Sequence, residues 1–275
     1  MKPAPLSYSR PEALSGVLDA LRQSSGDARV IAGGQSLGPM LNFRIAQPRQ
    51  LVDISRIDAL CTTAMEGDAL AIGACVTHAR IEDGEIPDVT LGLMRHIARG
   101  IAYRAVRNRG TIGGSLAHAD PAADWLATMI ALDASVRLQS TPGVRQLKVA
   151  DFVVGALDTQ IVEAEVISHV LVPRLTASAR WGHNKYAKKS GDFAESAAIS
   201  IFDGERGVAR VVLGRRAEPP ALMQRTSEQL AADGGRPSGG AEAAVEADLR
   251  SLGVKPGDWT MHRVIVMRAL RDMAA

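Results

Sequence analysis

Aromatic residues make up only 4% of the sequence. Proteins that stack single-stranded bases interleave aromatic rings with basic groups, so this scarcity argues against a nucleic-acid partner. Charge of either sign is also in short supply as a net quantity. With 32 Lys+Arg against 30 Asp+Glu the balance is +2, which leaves no global electrostatic case for nucleic acid or an anionic membrane. The two cysteines, Cys61 and Cys75, lie apart in the chain. They fit neither a disulfide framework nor a Cys-x-x-Cys site, and they cannot supply four thiolates to a cluster. The six histidines (78, 96, 118, 169, 183 and 262) show no His-x-x-x-His or Glu-x-x-His spacing, so no metal site is expected. No apolar run approaches the ~20 residues a membrane helix needs. The opening Met1-Lys2-Pro3-Ala4-Pro5 has no signal-peptide hydrophobic region, and the expected compartment is the cytoplasm.

What is present is apolar residue in quantity, 46% of 275, enough for one large domain or two of ordinary size. Ser9-Arg10-Pro11-Glu12 has capping-box spacing ahead of Leu14, Val17, Leu18 and Leu21, which predicts a helix from there to Ser25-Gly26. Arg29–Ala32, Leu51–Ile54 and Leu70–Gly73 read as strands, and Leu91–Ile101 as a helix. A helix from Pro121 to about Leu132, a strand Ser135–Leu138 and an alternating strand Val162–Val172 follow. Beyond a boundary near residue 175 three strands succeed one another: 182–188, 195–202 and 208–213. Turns at Gly191-Asp192 and Asp203-Gly204 suit an antiparallel meander. Helices are predicted over 221–232, 241–252 and 259–273.

Two glycine-rich stretches stand out. One is Gly33-Gly34-Gln35-Ser36-Leu37-Gly38, after a strand. The other is Gly110-Thr111-Ile112-Gly113-Gly114-Ser115, followed by Asp120 and Pro121 where an N-cap and a first helical residue would sit. Such turns let the backbone take positive φ and aim several N–H groups at one anion. Neither matches Gly-x-Gly-x-x-Gly, and neither carries the P-loop lysine. Two separate turns could instead close on one pyrophosphate from both sides, which calls for an elongated phosphate-containing cofactor.

The residues that carry this pattern are Ala32–Leu37 with Pro39-Met40-Leu41-Asn42 and Leu51-Val52-Asp53-Ile54, then Arg107–Ser115 with Ala117-His118-Ala119-Asp120-Pro121. Together with Lys185-Tyr186 and Gly191-Asp192-Phe193-Ala194 they resemble the medium, FAD-binding subunit of molybdenum hydroxylases, the group of carbon monoxide dehydrogenase medium chains and the xanthine dehydrogenase flavin domain. The resemblance implies an α+β chain. Two FAD-binding lobes of the vanillyl-alcohol-oxidase type (1–58 and 59–175) would precede a C-terminal domain (176–275) of a three-stranded antiparallel sheet and a helix bundle. By motif position Ala32, Gly33, Gly34, Gln35, Ser36 and Leu37, with Thr111, Ile112, Gly113, Gly114 and Ser115, would line the pyrophosphate. Asp124 would accept a hydrogen bond from the cofactor and Lys185 would lie near the isoalloxazine. Ile101 falls where a ring neighbour is placed, Val166 or Ile167 where a backbone contact is made, and Tyr186 or Tyr103 could stack on the ring instead. The chain departs from the family at Leu213-Gly214-Arg215-Arg216, where a Gly-Gly pair is usual.

The same resemblance implies a heterotrimer, as a dimer of heterotrimers, in which a large subunit holds molybdopterin and a small one holds 2Fe-2S clusters. FAD on this chain would then pass electrons to an external acceptor. Two alternatives stand beside it, a self-contained flavin oxidoreductase and a scaffold subunit without cofactor. Ser115, His118 and Asp120 contain the residue types of a hydrolytic triad, but all lie within six residues and no Gly-x-Ser-x-Gly elbow surrounds Ser115. The basic runs Arg95, Arg99, Arg104, Arg107, Arg109 and Arg180, His183, Lys185, Lys188, Lys189 read as solvated or subunit-contact faces, Lys185 excepted.

Overall fold

The apolar spacing at Leu14, Val17, Leu18 and Leu21 becomes a helix, Leu14–Gln23, whose buried face rests on strands Ala28–Ile31 and Gln50–Asp53. In this computed structural model, which describes residues 2–274, those strands pair in parallel, and Ser7–Ser9 adds to the other edge of Gln50–Asp53. Parallel neighbours need crossovers, and helices Leu14–Gln23 and Leu37–Asn42 supply them. The capping box does not form. Ser9 ends a strand, its hydroxyl accepting from Gln50 Nε2 at 3.0 Å, and the helix starts at Leu14 behind an uncapped Ala13.

A five-stranded antiparallel sheet follows, in the order Thr63–Glu66, Ala69–Gly73, Val166–Pro173, Ser135–Ser140, Gly143–Lys148. Its central strand is buried along most of its length, as a near-continuous apolar run requires. Helices Ile112–His118 and Asp124–Ala131 share its core, and Trp125, Leu126 and Met129 are fully enclosed there.

The third sheet orders Arg180–Tyr186, Ser196–Asp203, Val208–Arg215 and a short Ala221–Leu222, all antiparallel. The expected meander of three strands therefore gains a fourth, and the strand Val208–Arg215 runs on through Arg215, whose Nη1 donates to Leu252 O at 3.2 Å. Helices Gln224–Ala232, Ala241–Ser251 and Trp259–Ala274 cover one face. Successive side chains of a strand point to opposite faces. Ala198, Val211 and Leu213 accordingly enter the core beneath these helices, while Ile199, Ile201 and Val212 enter the core shared with Trp125. Among the described residues no helix is long and apolar enough to cross a membrane.

The close seat of helix Trp259–Ala274 on this sheet depends on Gly182, where an added Cβ would stand 1.9 Å from Ala269 O and 2.6 Å from Met273 N. Gly182→Ala is expected to lower unfolding free energy by about 1–3 kcal/mol or more through overpacking. Gly239→Ala, where no atom lies within 4 Å of the new Cβ, should leave the denaturation midpoint near that of the parent chain. Urea unfolding of both variants makes the comparison.

Candidate functional site

Leaving strand Ala28–Ile31, the chain turns through Ala32–Ser36 into helix Leu37–Asn42. Gly34 takes the left-handed conformation there, φ +70°, and Gln35 Nε2 donates back to Gly33 O at 3.2 Å. Among the described residues, the backbone N–H groups from Gly33 to Leu37 have no acceptor within the chain. With no partner in the chain and at least partial exposure, they are free to donate to water or to a ligand.

The second glycine stretch is built differently. No strand precedes it beyond an isolated bridge between Thr77 and Thr111, and helix Ile112–His118 runs straight through Gly113 and Gly114. Gly110, Gly113 and Gly114 are not left-handed. Their N–H groups are also largely taken. Ile112 N donates to Val76 O at 3.1 Å, Gly113 N to Ala74 O at 3.0 Å and Ser115 N to Thr111 O at 3.0 Å, while the Thr111 hydroxyl caps Gly114 N at 3.1 Å. The glycines serve closeness instead. A Cβ on Gly113 would meet Ala74 Cβ at 2.4 Å, and one on Gly110 would meet the His78 ring at 2.8 Å. The two stretches themselves touch, because a Cβ on Gly33 would fall 1.9 Å from Arg109 O and 2.9 Å from Gly110 Cα.

Between these segments and the five-stranded sheet lies a cleft of about 1100 Å³. Of the residues predicted for the site, Ala32 to Leu37, Ile101, Thr111, Gly113, Gly114, Ser115 and Asp124 line it, as do Val166 and Ile167. Ile112 does not, being fully buried in the core. Lys185 does not line it either but reaches it through Asp124, with Nζ 3.0 Å from Oδ1 and 3.1 Å from Oδ2. Both side chains are largely covered, at 13% and 8% exposure. Burial pushes the Asp124 carboxyl above its ordinary value, against the pull of the Lys185 charge and hydrogen bond. Tyr103 and Tyr186 are exposed and stand outside the lining, where Phe193 is the aromatic residue at the rim.

The helix behind Asp120 begins at Asp124, not Pro121, with Ala123 in the N-cap position. Asp120 Oδ1 accepts from Ala122 N at 2.9 Å, so its carboxylate closes an Asx turn rather than capping the helix. Asp124 occupies the first turn, where the helix dipole favours a carboxylate.

One cleft residue carried no sequence signal. His78, 5% exposed, accepts from Trp125 Nε1 at its Nδ1, 3.0 Å away, and lines the cleft. Burial, helped by the Arg107 charge, pushes it down to about 4. It adds no positive charge to the cleft near neutrality. A lone histidine outside any ligand spacing gives no hint of this in sequence.

With this geometry in hand the comparisons are direct. Residues 4–175 match the FAD binding domain in molybdopterin dehydrogenase. The chain belongs to that family. Its relatives include the 6-hydroxypseudooxynicotine dehydrogenase complex subunit alpha of Paenarthrobacter nicotinovorans, 35% identical over 98% of this chain and 91% of that one. The carbon monoxide dehydrogenase medium chain of Hydrogenophaga pseudoflava is 36% identical over 74% of this chain and 70% of its own length. A solved structure of carbon monoxide dehydrogenase from the same organism superimposes with a TM-score of 0.91 at 30% identity, covering 100% of this chain and 99% of the other. As an FAD-binding medium subunit of the molybdenum hydroxylase type, the chain is an oxidoreductase subunit of mixed α/β fold.

The neutral, buried His78 has a consequence for stability. The folded chain favours its uncharged form, so the stabilisation is complete above the ordinary value of 6.5 and is lost as pH falls toward about 4. Over that window His78 is expected to weaken the native state by roughly 3 kcal/mol. His78→Gln, which keeps an acceptor for Trp125, should flatten the decline, as measured by urea unfolding at a series of pH values.

Proposed function

We propose that this chain binds one FAD across the cleft and relays electrons through it. They would arrive from 2Fe-2S clusters on a small partner subunit and leave to an external acceptor such as NAD+ or a quinone, while a large molybdopterin subunit oxidises the substrate. The three subunits would assemble as a dimer of heterotrimers. The free cysteines Cys61 and Cys75 suit a reducing cytoplasm. In fold terms we assign residues 1–58 and 59–175 to two lobes of the vanillyl-alcohol-oxidase type and 176–275 to a C-terminal domain that buttresses them.

The observation that carries the reading is the row of unpartnered N–H groups at Gly33–Leu37, facing the same cleft as Thr111, Gly114 and Ser115. That donor set fits a pyrophosphate, whose charge is best held by several oriented N–H groups and hydroxyls without a competing carboxylate among them. FAD, when bound, supplies the exchange between one-electron and two-electron carriers. The chain's own residues do the rest. Gly33–Leu37 donate N–H groups to phosphate oxygens, and the Ser115 hydroxyl adds a donor from the opposite side. The Gly114 surface has no side chain to hold the phosphates off. Asp124 offers an acceptor anchored by Lys185, whose cation lies one residue behind the cleft wall and favours negative charge gained there. Ile101, Val166 and Ile167 give the cleft an apolar wall that excludes water.

The purified chain is therefore expected to show a flavin absorption spectrum at one FAD per chain, with the flavin released on denaturation. A folded, colourless chain that takes up no added FAD would sink the reading, and flavin that stays on the denatured chain would point to the self-contained oxidoreductase with covalent attachment. The two glycines of the second stretch divide the outcomes. Gly114→Val adds bulk to the exposed cleft surface and crowds only the capping Thr111 hydroxyl, at 2.8 Å, and should lower FAD occupancy at least tenfold with a smaller loss of stability than Gly113→Val. Gly113→Val pushes into the Ala74 backbone at 2.7 Å and should lower the melting temperature as well.

A further inference from the structure

The sequence places Arg107 in a basic run that reads as a solvated or subunit-contact face. Arg95, Arg99, Arg104 and Arg109 are exposed, but the Arg107 side chain is only 11% accessible and grips Glu82, 12% accessible, with a two-pronged ion pair: Nε to Oε2 at 2.7 Å and Nη2 to Oε1 at 3.0 Å. The remaining nitrogen, Nη1, donates to two successive backbone carbonyls, Ile101 O at 2.9 Å and Ala102 O at 3.0 Å. Ile101 and Ala102 both line the cleft. Ala102 is held left-handed, φ +42°, a conformation that costs a residue with a Cβ about 1 kcal/mol. From the far side the C-terminal domain closes on the same carbonyl, since a Cβ on Gly191 would lie 2.8 Å from Ala102 O.

We propose that Arg107, oriented by Glu82, is a positioning residue that holds the Ile101–Ala102 segment of the cleft wall in a strained turn so that it packs against the flavin of bound FAD. The inference rests on the FAD reading above and adds to it a role for two residues that do not touch the cleft surface themselves. Taking an ion pair out of water is costly, and an apolar pair of the same volume would fill the space at less expense. An apolar pair could not bond two adjacent carbonyls. A planar guanidinium can fork onto a carboxylate and still present a third nitrogen in the same plane, whereas an ammonium of equal charge cannot. Arg104, which reaches Glu82 Oε2 at 2.8 Å and Asp83 Oδ1 at 2.7 Å, fixes the carboxylate from its exposed side.

The test compares the full chain with Arg107→Lys and Glu82→Gln, reading the FAD dissociation constant and the visible circular dichroism of the bound flavin beside the melting temperature of the FAD-free protein. The expected result is a dissociation constant raised at least tenfold in both variants and an altered flavin dichroism. Adding Ala102→Gly to Arg107→Lys should recover part of the affinity, because glycine takes positive φ without cost. Variants that bind FAD within twofold of the parent, with the parent dichroism, overturn the inference, as does a fall in melting temperature with no change in either flavin readout. If Arg107→Lys does not fold, Glu82→Gln, which keeps the volume and one acceptor, decides alone. A parent chain that takes up no FAD overturns the FAD reading and this inference with it, whereas a parent that binds normally beside unaffected variants overturns only the inference.

Discussion

The structure depends on a contact without side chains. Where Gly33 meets Arg109 and Gly110, the turn after strand Ala28–Ile31 and the loop before helix Ile112–His118 approach so closely that a single methyl group at Gly33 would sit inside the Arg109 carbonyl. That approach joins the stretch with the unpartnered N–H groups to the stretch that carries Thr111 and Ser115, and both line the cleft. Gly110 against His78 and Gly113 against Ala74 continue the same seam toward the five-stranded sheet. The glycines there are selected by what lies beside them more than by their torsion angles, and Gly34 is the exception.

Around this seam the cleft walls are pinned by buried charge. Arg107 and Glu82 hold Ile101 and Ala102, and on the opposite wall Glu165, 3% accessible in its side chain, pairs with Arg145 and accepts from Val162 N at 3.1 Å. Burial would raise the Glu165 carboxyl, but the Arg145 bonds outweigh it and hold it below its ordinary value. In both places a carboxylate–guanidinium pair ties down a segment of the cleft wall through backbone groups. Loops at a binding site are drawn from the less stable parts of a protein, and paired charges are one way of ordering them without filling the cleft.

Much of this was legible before any coordinates. The two glycine stretches, the long helices of the C-terminal region and the central strand Val166–Pro173 all follow from spacing and composition. The parts that were not legible share a physical reason. Thr63–Glu66 and Gly143–Lys148 are edge strands whose side chains are exposed or part-exposed throughout, and without a buried face nothing imposes apolar alternation on them. Ser9 and Asp120 look like caps in sequence, but the first is claimed by strand pairing and the second by a local turn. The N–H groups of residues 112–115 looked available for an anion and are consumed by Val76, Ala74 and Thr111. Neither the His78–Trp125 bond nor the burial of Arg107 could be read from spacing, because each joins residues far apart or turns a residue away from the run it belongs to.

The strands Ser196–Asp203 and Val208–Arg215 serve two cores at once, giving alternate side chains to the helices behind them and to the helix that carries Asp124 and Trp125. The segment matched as the FAD-binding domain ends at residue 175, so cutting the chain there would strip one wall from its own core. The matched FAD-binding segment thus ends short of residues that complete its core, Ile199, Ile201 and Val212 among them.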